Sequence, residues 1–147
     1  MVLIISMLPI VELRGGILIG AAEGLPFWLN YMACVIGNIL PVPFLLIFAR
    51  KLLDWLATWP KIGWIFQRII EKAEAKAKEI ETVELTGLYA FVAVPLPGTG
   101  AWTGTLIATA LRMRFWPSLI VITAGVMTSG IIMGVVSLGL LSFLGIF

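Results

Sequence analysis

Two ionisable side chains, Glu12 and Arg14, stand in the middle of an apolar run that extends from Val2 to Ala22. Burial works against the charge of a carboxylate, so a carboxyl group in such a run is suited to taking up and releasing a proton. Glu12 is therefore the candidate for proton coupling in a transport cycle. Arg14 keeps its charge, and its planar fork fits phosphate or carboxylate, either of a substrate or of Glu12 itself. Residues two apart do not face each other on a helix, so an internal Glu12–Arg14 pair requires a non-helical turn. A second group lies far along the chain. Thr99, Thr103 and Trp102 offer hydroxyl and indole groups, and the backbone around Gly98 and Gly100 offers exposed donors to a substrate or to the opposite loop. Asn38, ahead of Pro41 and Pro43, can satisfy carbonyls that the prolines free, or touch cargo.

Other chemistry is absent from the inventory. The chain has no histidine and one cysteine, Cys34, which excludes an intrachain disulfide and the usual triads and zinc sites. No catalytic residue, metal or cofactor is expected, and the chain does not read as an enzyme. The net charge of +2 gives no reason to expect a nucleic-acid partner.

The elements that hold these residues are membrane elements. Of the 147 residues, 61 % are hydrophobic and only 12 % charged, whereas soluble domains carry roughly 25 % charge. Apolar segments cover Val2–Ala22, Leu25–Ala49, Leu85–Leu111 and Phe115–Phe147, which makes one membrane domain over residues 1–147. The first does not look like a removable signal peptide, because charges occupy its centre and no small-residue cleavage site follows. Between the second and third segments, a connector over residues 50–84 holds seven Lys/Arg and six Asp/Glu. Its first part mixes Trp55, Trp59, Trp64 and Phe66 with aliphatic residues, as a helix in the headgroup layer does, and Pro60 breaks it. Its later part, from Glu71 to Glu79, is rich in helix formers and reads as a short solvated helix.

A shift of 88 residues aligns the chain with itself. Over the 29 positions from Pro9 to Gly37 it gives eight identities without a gap, among them Pro9/Pro97, Gly16/Gly104, Phe27/Phe115, Trp28/Trp116 and Gly37/Gly125. Residues 2–49 and 85–147 are thus two repeats of one plan: an interrupted apolar stretch, a turn, Phe-Trp, and one long continuous apolar helix. The interruptions span Pro9 to Gly16 and Pro95 to Gly104, and the loop backbone is assigned to Pro9, Gly15, Gly16, Pro95, Pro97, Gly98, Gly100 and Gly104. Proline in a helix costs about 3 kcal/mol, and broken backbone at membrane depth persists only in protein or beside a wet cavity. The expected fold is all-α: two inverted repeats, each a re-entrant helical hairpin followed by a transmembrane helix, with the two loops facing each other. In that arrangement nine of the ten basic residues, all but Arg14, share one face. The positive-inside rule makes that face, with connector 50–84, cytoplasmic and puts both termini outside. Four straight spans would place Arg112 and Arg114 opposite the connector instead.

The stretches Leu8-Pro-Ile-Val-Glu-Leu-Arg-Gly-Gly16, Gly37-Asn-Ile-Leu-Pro-Val-Pro43 and Val94-Pro-Leu-Pro-Gly-Thr-Gly-Ala-Trp-Thr-Gly104 together resemble the small multidrug export protein family. The resemblance covers essentially the whole chain, with Leu18 standing where the family pattern has proline. The family is itself similar to the DedA, or SNARE-associated, membrane proteins. What the resemblance implies is paired re-entrant loops and either proton-linked transport or translocation of a lipid carrier.

The function expected is movement of a small amphiphilic or anionic solute across the cell membrane, proton-coupled through Glu12. The alternatives are a lipid scramblase or polyprenyl-phosphate type translocase, and a non-transporting membrane scaffold. The expected partners are membrane lipids, a small-molecule or lipid cargo and a second copy of the chain. Gly130 and Gly134, in a GxxxG spacing beside Gly125 and Gly139, offer a close-packing surface within the chain or in a dimer.

Overall fold

A computed structural model describes residues 1–65, 67–68, 71 and 81–143; the helix expected from Glu71 to Glu79 lies, past its first residue, outside the described residues, as does Phe66 of the connector's aromatic stripe. Every regular element described is helical: α1 (Val2–Met7), α2 (Glu12–Ala22), α3 (Phe27–Ile39), α4 (Val42–Ala57), α5 (Glu81–Ala93), α6 (Ala101–Ala110) and α7 (Phe115–Phe143).

The helix ends follow from proline and from the left-handed region of the backbone. α1 stops at Leu8, whose φ of −74° and ψ of 136° are the extended values that a following proline imposes. α2 ends in a Schellman turn: Leu25 N–H donates to Gly20 O, Gly24 N–H donates to Ala21 O, and Gly24 takes φ +76°. α6 ends in the same way, with Met113 N–H donating to Ala108 O and Arg112 N–H to Thr109 O; here Arg112 takes the left-handed place at φ +55°. The two turns stand 88 residues apart, and so do the last residues of α2 and α6 and the first residues of α3 and α7.

The single continuous helix expected over Leu25–Ala49 is interrupted instead. Pro41 has no N–H to give, so α3 stops at Ile39 and α4 resumes at Val42, with Leu40 and Pro41 both keeping right-handed helical angles. Together they make a span from Phe27 to Ala57, which runs on past Arg50 into the connector. The second span, Phe115–Leu140 within α7, is unbroken; at the position equivalent to Pro41 it carries Ser129. Both are long and apolar enough to cross a membrane.

The two spans run antiparallel. Gly134 packs on the ring of Phe27, a Cβ at Gly130 would lie 2.8 Å from Tyr31 Cε2, and the Tyr31 hydroxyl donates to Met127 O at 3.1 Å. The GxxxG pair is thereby occupied within the chain, by aromatic rings of α3. α2 packs on α3 and α7, while α6 packs on α7 and α4, so each unit's second short helix leans on the long helix of the other. At the far end of α4, Arg112 pairs with Asp54 at 2.5 Å and Arg50 donates to Met113 O. The chain therefore leaves the first span and enters the second at the same end.

Leu13, Ile17, Cys34, Val42, Leu46, Val92, Ile122 and Val126 form the centre of the core. Outside it, Trp28, Met32, Phe44, Phe48, Trp116 and Ile120 on the long helices are exposed. Large apolar side chains in that number along two long helices fit lipid, not water.

Candidate functional site

The interruptions are shorter than their sequence motifs. Residues 8–11 separate α1 from α2, and residues 94–100 separate α5 from α6. Gly15 and Gly16, expected in the first loop, are helical residues of α2, and Gly104 is a helical residue of α6. Their role is close packing: Gly16 receives Ser6 and Cys34, and a Cβ at Gly104 would come within 2.6 Å of Val92 Cγ2. At the two interruptions, left-handed backbone falls on Gly98 (φ +82°), on Gly100 (φ +140°) and, on the other side, on Glu12 (φ +51°). A side chain is disfavoured there, so Glu12 is held in place by its surroundings at a cost on the order of 1–3 kcal/mol.

The two loops meet. Glu12, the first residue of α2, is 7 % exposed, and its Oε1 accepts the backbone N–H of Trp102 at 3.4 Å. Gly100 is the N-cap of α6 and offers no side chain to the free N–H groups of that helix. Glu12 supplies the missing cap from the other unit. Only glycine at position 100 leaves room for this, since a Cβ there would collide with Glu12 Oε2.

Arg14 reaches the same loop at other points. Its guanidinium donates to Leu96 O, to Val94 O at 3.4 Å and to Thr99 Oγ1 at 2.7 Å. Thr99 Oγ1 itself lies 2.8 Å from both carbonyls, Val94 O and Leu96 O, which also accept the backbone N–H groups of Leu96 and Thr99 within the loop. In return, Trp102 Nε1 donates to Met7 O at 3.2 Å, a carbonyl freed by the end of α1. Glu12 and Arg14 form no salt bridge with each other; each is turned to a different part of the second loop.

Between the loops lies a cavity of about 310 Å³ lined by Pro9, Ile10 and Val11 from the first, Pro95, Pro97 and Gly98 from the second, and Glu12, Arg14, Thr99 and Thr103. Behind it, a cavity of about 10 Å³ brings Asn38 and Ser129 beside Glu12 and Gly100. Asn38 is 3 % exposed, and its Oδ1 has no hydrogen-bond partner. Asn38 and Ser129 come from the middle stretches of the two spans, so the whole assembly lies at their mid-height.

The structure thus brings Glu12, Arg14, Asn38, Thr99, Trp102 and Thr103 to one place. Sequence reasoning did not include Ser129 or the carbonyl of Met7. Neither has a chemical signature in the sequence; only its position 88 residues after Pro41 singles Ser129 out.

Residues 12–132 match the family described as "Putative small multi-drug export protein". The chain belongs to that family. The match begins at Glu12 and takes in both loops' polar residues, the connector and most of α7. As a member of the small multi-drug export family with two long apolar helices, it is a membrane protein of a transport family. Among curated proteins and among solved structures, none matches.

Proposed function

We infer that this member of the family carries a small amphiphilic solute across the membrane through the cavity between its two loops, with Glu12 exchanging a proton during the cycle. The observation that carries the reading is the meeting of two helix interruptions at mid-height of both spans, around a buried carboxyl group, a guanidinium and a cavity of about 310 Å³. Broken helices and intramembrane charge are the building materials of transport sites.

The membrane arrangement in this reading follows from parity. The chain leaves the first span beside Arg112, where the second begins, so everything between must return to the face from which it started. A connector with thirteen charged residues from Arg50 to Glu84 does not cross hydrocarbon. The interrupted pair α5–α6 then enters the bilayer and comes back, and the antiparallel spans make the two units inverted. Positive charge near the connector puts that face in the cytoplasm. Kinship with the DedA proteins and a homodimer complete this reading, since two spans and two short hairpins enclose little volume alone.

Arg14 serves the cycle by changing partners: its donors rest on the carbonyls of the second loop and transfer to an anionic group of the cargo as it arrives. Lipid-phosphate translocation is the second reading, favoured by the apolar lining of the cavity, where Ile10 is 94 % exposed beside Pro9, Pro95 and Pro97.

Liposomes test both. Purified chain in vesicles loaded with an amphiphilic dye releases it in response to a pH gradient, while labelled lipid in the same vesicles stays on its original leaflet. Glu12→Gln and Arg14→Ala each abolish the release. Lipid movement without dye flux transfers the function to the second reading, and neither flux leaves the chain as a scaffold.

A further inference from the structure

The turn from α6 to α7 differs from its counterpart in a way that backbone geometry alone does not require. Gly24 takes the left-handed position of the first turn without strain, whereas Arg112 holds it at φ +55°. The guanidinium so placed bonds to Asp54 of α4, and one helical turn earlier Arg50 of α4 donates to Met113 O. Both arginines act on each other electrostatically, and Asp54 is the carboxylate that stands with them. Among the described residues, one anion therefore faces two cations. Each guanidinium also keeps its Nε–H buried and without a hydrogen-bond partner among the described residues. Two buried donors on two neighbouring positive groups call for a polar acceptor with several oxygens.

We propose that Arg50 and Arg112 bind a phosphate group, and that its carrier is the headgroup of an anionic membrane lipid. The site lies where both spans end, the level at which headgroups sit. Trp55 and Trp116, both exposed, stand beside it in the chain as interfacial aromatic residues do. Exposed Phe48 and Leu52 on α4 and Ile120 on α7 offer apolar surface along which acyl chains lie. The arginine fork matches phosphate oxygens pairwise, which lysine does not. This site is separate from the loops at mid-height and stands whether or not the chain transports.

The test is thermal unfolding of the purified chain in neutral detergent with added phosphatidylglycerol, phosphatidylcholine or inorganic phosphate. Phosphatidylglycerol raises the Tm by several degrees more than phosphatidylcholine, and inorganic phosphate at the same concentration leaves it unchanged. Arg50→Lys and Arg112→Lys keep the charge but remove the Nε–H, and each loses most of the phosphatidylglycerol preference. Lys51→Gln removes a neighbouring exposed charge and retains it. Arg112→Gly relieves the left-handed strain, so it folds and still loses the preference. Equal shifts with the two lipids overturn the proposal, as does a preference that survives in the lysine variants. A shift with inorganic phosphate as large as with phosphatidylglycerol overturns the lipid assignment.

Discussion

Arg14 and Trp102, equivalent positions 88 residues apart, each reach into the other unit's loop: the guanidinium donates to Leu96 O and the indole N–H to Met7 O. The guanidinium meets a carbonyl of the loop after α5, and the indole meets the carbonyl that ends α1. The crossing runs in both directions.

Removing one crossing at a time separates its parts. Trp102→Phe keeps the ring and loses the hydrogen bond to Met7 O, at a cost of about 1 kcal/mol. Thermal unfolding in detergent reads it as a small fall in Tm. Arg14→Lys retains a charge but cannot span Leu96 O and Thr99 together, and it lowers stability more than Trp102→Phe does.

Gly100→Ala places a methyl group against the Glu12 carboxylate and forces an unfavourable φ, for a combined loss on the order of 1–3 kcal/mol or more. Combining it with Glu12→Ala recovers part of the stability and none of the transport. If the single variant unfolds like the parent chain, Glu12 does not cap α6.

Gly134→Leu drives a side chain into the ring of Phe27 and separates α3 from α7. The expected loss is about 1–3 kcal/mol, whereas Gly139→Leu, at a position with open space around it, changes little. Equal effects would mean that the spans do not pack through Gly134.

Sidedness follows from labelling. In a Cys34→Ser background, cysteines introduced at Lys61 and Leu111 react with an impermeant reagent from one face, and those at Glu23 and Leu140 from the other. Four straight spans would pair Leu111 with Glu23 instead.

Much of this arrangement could be read from residue types. Pro9, Pro95 and Pro97 announce the breaks because proline has neither the N–H nor the freedom that a helix interior needs, and the 88-residue shift anticipates where α2, α3, α6 and α7 begin or end. Pro41 was legible as a proline but not as a helix boundary, since the apolar run through it is continuous. The partners of Glu12 and Arg14 were not legible either. Their spacing says that Glu12 and Arg14 do not face each other on a helix, but not where they turn instead; backbone N–H and C=O groups of the second loop claim them, and backbone groups leave no mark in a sequence. The glycines of α2 and α6 misled for a related reason: Gly16 and Gly104 serve close helix contact, which asks for a small residue in the same way that a turn does.

The meeting of Glu12 with the start of α6 also fixes the electrical character of the centre. α2 and α6 both begin there, and each helix N-terminus carries about half a positive elementary charge. Together with Arg14 they make a positive region, and among the described side chains Glu12 is the carboxylate that offsets it. With Glu12 ionised about one positive charge remains there; with Glu12 protonated about two do. In the transport reading, one proton on one residue thus sets how strongly the cavity draws an anionic group.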